Sequence, residues 1–279
     1  MKTIPLTLRL AFAAMALLFT TATTKVHARD GVNVGGNSAF TNLVPAEGVE
    51  QSAAQEYAQL LQQAASKNAL GSRDHPQVKR LRTIAQRIIP HALAWNGRAR
   101  EWKWEVNLIG SSQINAFCMP GGKIAFYSGI LDKLKLTDDE VAMVMGHEIA
   151  HALREHARER MGKNAATGIG ANVLSQLLGL GQVGQTVTHY GAQLLTLEFS
   201  REDETEADLV GLELGARAGF NPRAGITLWQ KMSANSKGAP PQWLSTHPSG
   251  STRIAEMEAN LPRVMPLYEK AIQSGKTSR

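Results

Sequence analysis

The run His147-Glu148-Ile149-Ala150-His151 places two imidazoles four residues apart with a carboxylate beside the first. On an α-helix residues i and i+4 share a face, so both rings can reach one cation. Glu148 points in a neighbouring direction, within reach of a water at that cation. Zinc held by neutral imidazoles brings the ionisation of water toward neutral pH. The chemistry this spacing suits is therefore activation of water for attack on a carbonyl. Val141, Met143, Val144, Met145 and Ile149 make the same helix apolar over much of its circumference. Buried His, Glu and His side chains need compensation, and a metal supplies it.

A catalytic zinc takes three protein ligands and keeps a fourth position open. The extended pattern of one large zinc protease class, with Gly seven and His ten residues after the first His, is not met: those positions hold Arg154 and Ala157. His156, nine residues on, falls on the opposite side of a straight helix and is expected at the surface. His75, His91, His189, His247 and the acids remain. Ser200-Arg201-Glu202-Asp203-Glu204-Thr205-Glu206-Ala207-Asp208 opens a second helix, on which Glu204 and Asp208 share a face. Acids in a first turn also suit the helix dipole without any function. Set beside the two-histidine helix, Glu204 is the best third ligand, and Asp208 is placed to accept the outer N–H of a ligating histidine. His247, before Pro248, is open to three roles: oxyanion donor, fourth ligand closing the site, or plain loop residue. Arg253 is open to two, oxyanion donor or ion-pair partner.

The sequence resembles the zinc metallopeptidases of the HtpX and CAAX prenyl protease type, peptidase family 48 of the metallo group. The matching stretches are Asn115-Ala116-Phe117 with Pro120-Gly121-Gly122, His147 to His151, Glu204 to Asp208, and Thr246-His247-Pro248 with Arg253. The resemblance implies a gluzincin-like fold in which His147, His151 and Glu204 hold one zinc ion per subunit. It also implies Glu148 as the catalytic base and Asp208 behind a ligating histidine. Cys118, the single cysteine, is not part of that pattern.

The elements that must position these groups are mostly helical, and the fold class expected is α+β. Apolar spacing predicts helices over residues 49–70, 75–94, 137–160, 201–218 and 224–232, and a broken one over 253–271. Thr137, three residues before Glu140, forms a capping-box spacing at the start of the active helix. Trp102, Trp104, Val106 and Leu108 alternate with polar residues, residues 114–118 form a short apolar run, and Lys123–Ser128 reads as a further strand. Pro120-Gly121-Gly122 makes a turn, so a small antiparallel sheet is expected, with Lys123–Ser128 a candidate edge for pairing with an extended peptide. Residues 235–250 read as a loop. Residues 165–195 are Gly-rich and apolar, a candidate for peripheral membrane contact.

Of 279 residues, 43% are hydrophobic and 19% charged, which excludes a disordered or multi-span membrane chain. Lys2 and Arg9 precede an apolar run ending near Phe19, and Val26-His27-Ala28 offers a cleavage site, so residues 1–28 read as a signal peptide. Residues 29–48 read as a flexible lead-in and 49–275 as the metallopeptidase domain, with its active core at about 100–260. No cysteine lies near the cleavage point to carry a lipid, and the address expected is periplasmic. Removing residues 1–28, which hold Lys2, Arg9, Lys25 and no acid, takes the formal charge from +6 to +3. No nucleic-acid partner is needed to explain that balance. The expected partners are polypeptides, specifically misfolded or assembling envelope proteins. The function expected is zinc-dependent endopeptidase; the alternative is a zinc-dependent periplasmic chaperone or assembly factor for outer-membrane proteins, with a closed metal site.

Overall fold

The computed structural model describes residues 30–167, 198–235, 242–247 and 251–277, together with Leu194. The expected leader and most of the apolar 165–195 segment lie outside the described residues. In chain order come α1 (Ala46–Ser66), α2 (Pro76–Ile88), β1 (Glu105–Ile109), β2 (Ala116–Met119), β3 (Lys123–Tyr127), α3 (Ser128–Leu134), α4 (Asp138–Leu153) and α5 (His156–Ala166). Then follow α6 (Arg201–Arg217), α7 (Ala224–Ala234), α8 (Gln242–Thr246) and α9 (Ser251–Thr277). The chain is mainly helical around one small sheet, which is the expected α+β class.

The hairpin at Pro120–Gly122 forms where the turn residues place it. Gly121 and Gly122 have φ of +82° and +78°, and a Cβ on Gly122 would lie 2.7 Å from the Trp104 ring. The all-antiparallel sheet does not form. The strand order is β1-β3-β2, with β2 antiparallel to β3 and β1 parallel to it, Glu105 opposite Lys123 through Ile109 opposite Tyr127. The reason lies in β3. Ile124, Ala125 and Phe126 are all buried, so this strand needs cover on both faces and takes the centre. The hairpin fills one side of β3 with β2, leaving the other side to β1. The candidate edge at Lys123–Ser128 is thus an interior strand, and β1 and β2 are the outer strands.

One face of the sheet packs on α1 through Ala53, Tyr57, Ala64, Ile109, Met119 and Ala125. The Tyr57 hydroxyl donates to the Ile124 carbonyl there. The main core forms on the other side, where α4 packs against β2, α2, α6 and α7. Thr137 caps α4 as its spacing predicts: its Oγ accepts from Glu140 N at 3.3 Å, and Glu140 Oε2 accepts from Thr137 N at 2.8 Å. Helices α4 and α6 cross at bare backbone. A Cβ on Gly146 would lie 2.8 Å from the Gly211 carbonyl oxygen, and one on Gly211 would lie 2.7 Å from His147 N.

Several boundaries differ from the sequence reading. The expected helix 75–94 is α2 followed by a 3-10 turn over Ile89–Ala94, because Pro90 lacks the N–H that would continue it. The helix expected through residue 160 breaks at Glu155, which adopts the left-handed conformation at φ 60°. The expected C-terminal break is absent: α9 runs on through Pro262 and Pro266, with Met257, Leu261 and Val264 buried. A short helix, α8, lies inside the expected 235–250 loop. Residues 30–45, read as part of a flexible lead-in, lie tied to the helices by arginines. Arg217 Nη2 donates to Asp30 O (2.5 Å), Arg154 Nη2 to Gly35 O (2.6 Å) and Arg158 Nη2 to Thr41 O (2.7 Å). These donors meet carbonyls that would otherwise need water.

Candidate metal centre

Three elements converge at the buried middle of the molecule. Helix α4 brings His147 and His151, whose Nε2 atoms are 3.0 Å apart. The first turn of α6, fixed by a reciprocal cap between Ser200 and Asp203, brings Glu204. Its Oε2 lies 3.6 Å from His147 Nε2 and its Oε1 3.4 Å from His151 Nε2. The end of α8 brings His247, whose Nδ1 lies 2.9 Å from Glu204 Oε1 and 3.3 Å from His147 Nε2. All four side chains are buried, Glu204 completely. They form the one metal-competent cluster among the described residues.

The donor set fits zinc on three counts. Tetrahedral bonds of about 2.05 Å separate neighbouring ligand atoms by about 3.3 Å, the spacing seen here. Glu204 Oε2 is buried without a hydrogen-bond partner among the described residues; Arg253 Nη1 sits 2.6 Å away as a charge contact outside hydrogen-bonding geometry. Finally, the outer nitrogen of His147 is committed. Its Nδ1 lies 3.0 Å from Asp208 Oδ1, and Asp208 is a carboxylate, which only accepts. That leaves His147 Nε2 to face the other ligand atoms, and a cation reconciles them.

Glu148 stands beside this cluster. Its Oε1 accepts from the Trp243 indole Nε1 at 2.6 Å and lies 3.6 Å from His247 Nε2. Burial pushes the Glu148 carboxyl above its ordinary value, against the pull of His247 and His147. Burial would raise Glu204 too, but His247, His147 and Arg253 outweigh it and hold the carboxyl low. For His247 burial favours the neutral ring, yet Glu148 and Glu204 overcome it and raise the value. Burial first, and then the neighbouring basic groups of His147, His247, His156 and Arg253, lower His151 well below an ordinary histidine. Asp208 is carried down to about 2, since Arg253 and His147 outweigh the cost of burial.

Arg253 does not face the cleft. Its Nε and Nη2 grip Asp208 at 2.6 and 2.7 Å, and its guanidinium lies 3.7 Å over the Trp229 ring. It is ion-paired to both Asp208 and Glu204. Beside Glu148 and His151 opens a small cleft, with Ala116, Cys118, Ala152 and Phe199 among its walls. Edge strand β2 forms one side of it, where Cys118 is buried and its thiol raised well above the ordinary value by burial and Glu148.

Two residues were not anticipated. His156 is buried, not exposed, because the break at Glu155 turns α5 back toward the site. Trp243 carried no signal beyond its size: a lone indole four residues before His247.

The sequence profile of peptidase family M48 matches residues 75–261. Mitochondrial metalloendopeptidase OMA1 of Arabidopsis thaliana is 38% identical over 175 residues, 62% of this chain and 35% of that protein. The protein of the same name from Schizosaccharomyces pombe is 35% identical over 195 residues, 69% of this chain and 56% of its own length. The β-barrel assembly-enhancing protease of Escherichia coli O157:H7 is 29% identical over 198 residues, 67% of this chain and 39% of that protein. The chain thus spans about a third to just over half of the length of these relatives. The expected periplasmic address is overturned by the first two, both of which are named mitochondrial. The physical reason is that a basic, acid-free leader is common to both kinds of targeting segment. The expected class, zinc metalloendopeptidase, agrees with the matched family and with the first two relatives, which are named metalloendopeptidases. The profile spans both histidines of α4, Glu204, His247 and Arg253, and the chain belongs to peptidase family M48.

Proposed function

We propose that the protein is a zinc-dependent endopeptidase in which His147, His151 and Glu204 hold the metal. The observation that carries this reading is the convergence of two imidazole nitrogens and a buried carboxylate at tetrahedral spacing. Zinc held there supplies Lewis acidity, which makes water a nucleophile near neutral pH and polarises a carbonyl. Glu148 accepts the proton of the attacking water and returns it to the departing amine. The Trp243 indole fixes the carboxylate for both transfers. Asp208 orients His147, and Arg253 holds Asp208 and Glu204 in place. An extended substrate lies along the exposed side of β2, adding its backbone to the sheet edge, with one side chain in the cavity beside Phe199.

The metallopeptidase domain in this reading covers residues 49–275, and residues 30–48 pack as a strap upon it. Its substrates are polypeptides, and the relative named for β-barrel assembly supports proteins that are misfolded or still assembling. Membrane contact through 165–195 stays part of the proposal; no helix among the described residues is long and apolar enough to cross a membrane.

One observation favours a second reading, a chaperone or assembly role with a closed metal site. His247 Nδ1 sits where a fourth ligand would, and four protein ligands characterise structural zinc. The deciding experiment is Glu148→Gln in the full chain. Zinc content stays at one per chain and casein hydrolysis falls by roughly 10²–10⁴-fold. Undiminished hydrolysis in a clean preparation discards the peptidase mechanism, and no hydrolysis in either form favours the closed site.

A further inference from the structure

His147 has its carboxylate partner directly in Asp208, but His151 has no carboxylate at its outer nitrogen. Its Nδ1 instead meets His156 Nδ1 at 2.9 Å, and His156 Nε2 meets Glu206 Oε2 at 3.0 Å. Glu206 Oε1 is held by Arg154 Nη2 at 2.6 Å, and the same guanidinium nitrogen donates to Gly35 O at 2.6 Å. The four residues form a line running from the strap to the metal pocket. His151 and His156 are both buried, and Arg154 nearly so.

We propose that His156 and Glu206 form a second positioning arm, which fixes the tautomer and orientation of His151 as Asp208 does for His147. The inference rests on the zinc-site reading above, and donor accounting carries it. The arginine-paired carboxylate of Glu206 only accepts, so His156 Nε2 carries a proton. Only one of the two facing Nδ1 atoms can donate across the 2.9 Å contact, and a metal-ligating His151 leaves His156 Nδ1 to accept. His151 therefore donates from its own Nδ1, and its Nε2 turns a lone pair toward His147 and Glu204. The opposite assignment would aim an N–H at the cluster and bar His151 from a cation.

Chain geometry supports a purpose in the arrangement. His156 reaches this place only because Glu155 takes the left-handed conformation, which for a residue with a side chain is costly. Glu155 is held there by Arg158, to which it is ion-paired, and its carboxylate also accepts from Asn37 at 3.2 Å. Glu204, Glu206 and Asp208 all lie on α6. One helix thus supplies a ligand and the outer carboxylates of both arms.

The test uses the full chain as wild type, His156→Ala and His156→Gln. Zinc affinity is read by chelator competition, with the thermal stability of the metal-free forms alongside. Partners behind metal-bound histidines contribute roughly 10–100-fold in metal affinity, and that loss is expected for His156→Ala. His156→Gln, whose amide can accept from His151 and donate to Glu206, is expected to restore most of it. Metal-free stability alone would move if His156 merely packed, and unchanged zinc affinity in the alanine form overturns the proposal. Should the alanine form not fold, proton NMR of the cobalt(II)-loaded wild type decides. Two hyperfine-shifted, slowly exchanging imidazole N–H signals support two arms, and a single one overturns the second. A wild type that binds neither zinc nor cobalt fails at the zinc-site reading itself, a distinct outcome.

Discussion

The Trp243 indole donates its only N–H to Glu148, the carboxylate that neighbours both the metal ligands and the cavity. Trp243 is fully buried and comes from α8, which His247 directly follows. A base and the donor that aims it thus come from elements about a hundred residues apart. Trp243→Phe keeps an aromatic ring and removes the donor. A hydrogen bond to a charged group contributes about 1.5–3 kcal/mol, so kcat is expected to fall roughly tenfold to a hundredfold with zinc content unchanged. The indole also lowers the Glu148 carboxyl, so its loss lets burial raise that group further. The base must be ionised, and the acid limb of the pH–rate profile therefore moves to higher pH. An unmoved limb and an unchanged kcat would leave Trp243 a packing residue.

His247 can close the metal site or assist the reaction, and removal separates the two. If its Nδ1 occupies a ligand position, His247→Ala keeps one zinc per chain, exchanges it faster, and cleaves a short peptide faster. This is the expected result. Slower cleavage with zinc retained would instead make the residue a donor to the oxyanion. Metal analysis with peptide kinetics reads both, and identical kinetics and exchange would reduce His247 to a bystander.

Arg253 neutralises two buried carboxylates at once, Asp208 and Glu204. Breaking a buried ion pair by removing one partner costs about 3–5 kcal/mol. Arg253→Met is expected to destabilise the metal-free fold by that order, measured by urea denaturation. An arginine serving only as an oxyanion donor would lower kcat and leave the denaturation curve in place.

Glu56 on α1 is 8% exposed, and its Oε2 has no hydrogen-bond partner among the described residues. Burial raises its carboxyl to about 8. An acid raised on folding holds its proton in the native state longer than in the unfolded one, so stability falls as pH climbs from about 4.5 to 8. Glu56→Gln removes that loss. The variant is expected to melt higher than wild type at pH 8, by on the order of 1 kcal/mol after allowing for partial solvent access. The difference vanishes at pH 4. Parallel melting temperatures across that range would contradict it.

Much of the site was legible because its signals are local. The two histidines of α4 lie one turn apart, the Thr137–Glu140 cap fixes where that helix starts, and Glu204 and Asp208 share a face of α6. What was hidden depends on contacts between distant segments. The parallel pairing of β1 with β3 leaves no mark in either strand, since period and composition are the same for both directions. The burial of His156 required a left-handed Glu155, a conformation propensity gives to glycine or asparagine first. The pairing of Arg253 with Asp208 and Glu204 follows from the packing of α9 on α6. A basic, acid-free N-terminal stretch does not by itself distinguish compartments.

The meeting of Gly146 with Gly211 has a consequence for how this protein tolerates change. Where side chains separate two helices, any swap of a core residue alters the gap. Here the peptide planes themselves touch, one position from His147 and three from Asp208. The interior can thus drift in volume and identity while the span between the imidazole pair and the opposing acid stays gauged by main chain alone. A single methyl at either glycine would reset that gauge.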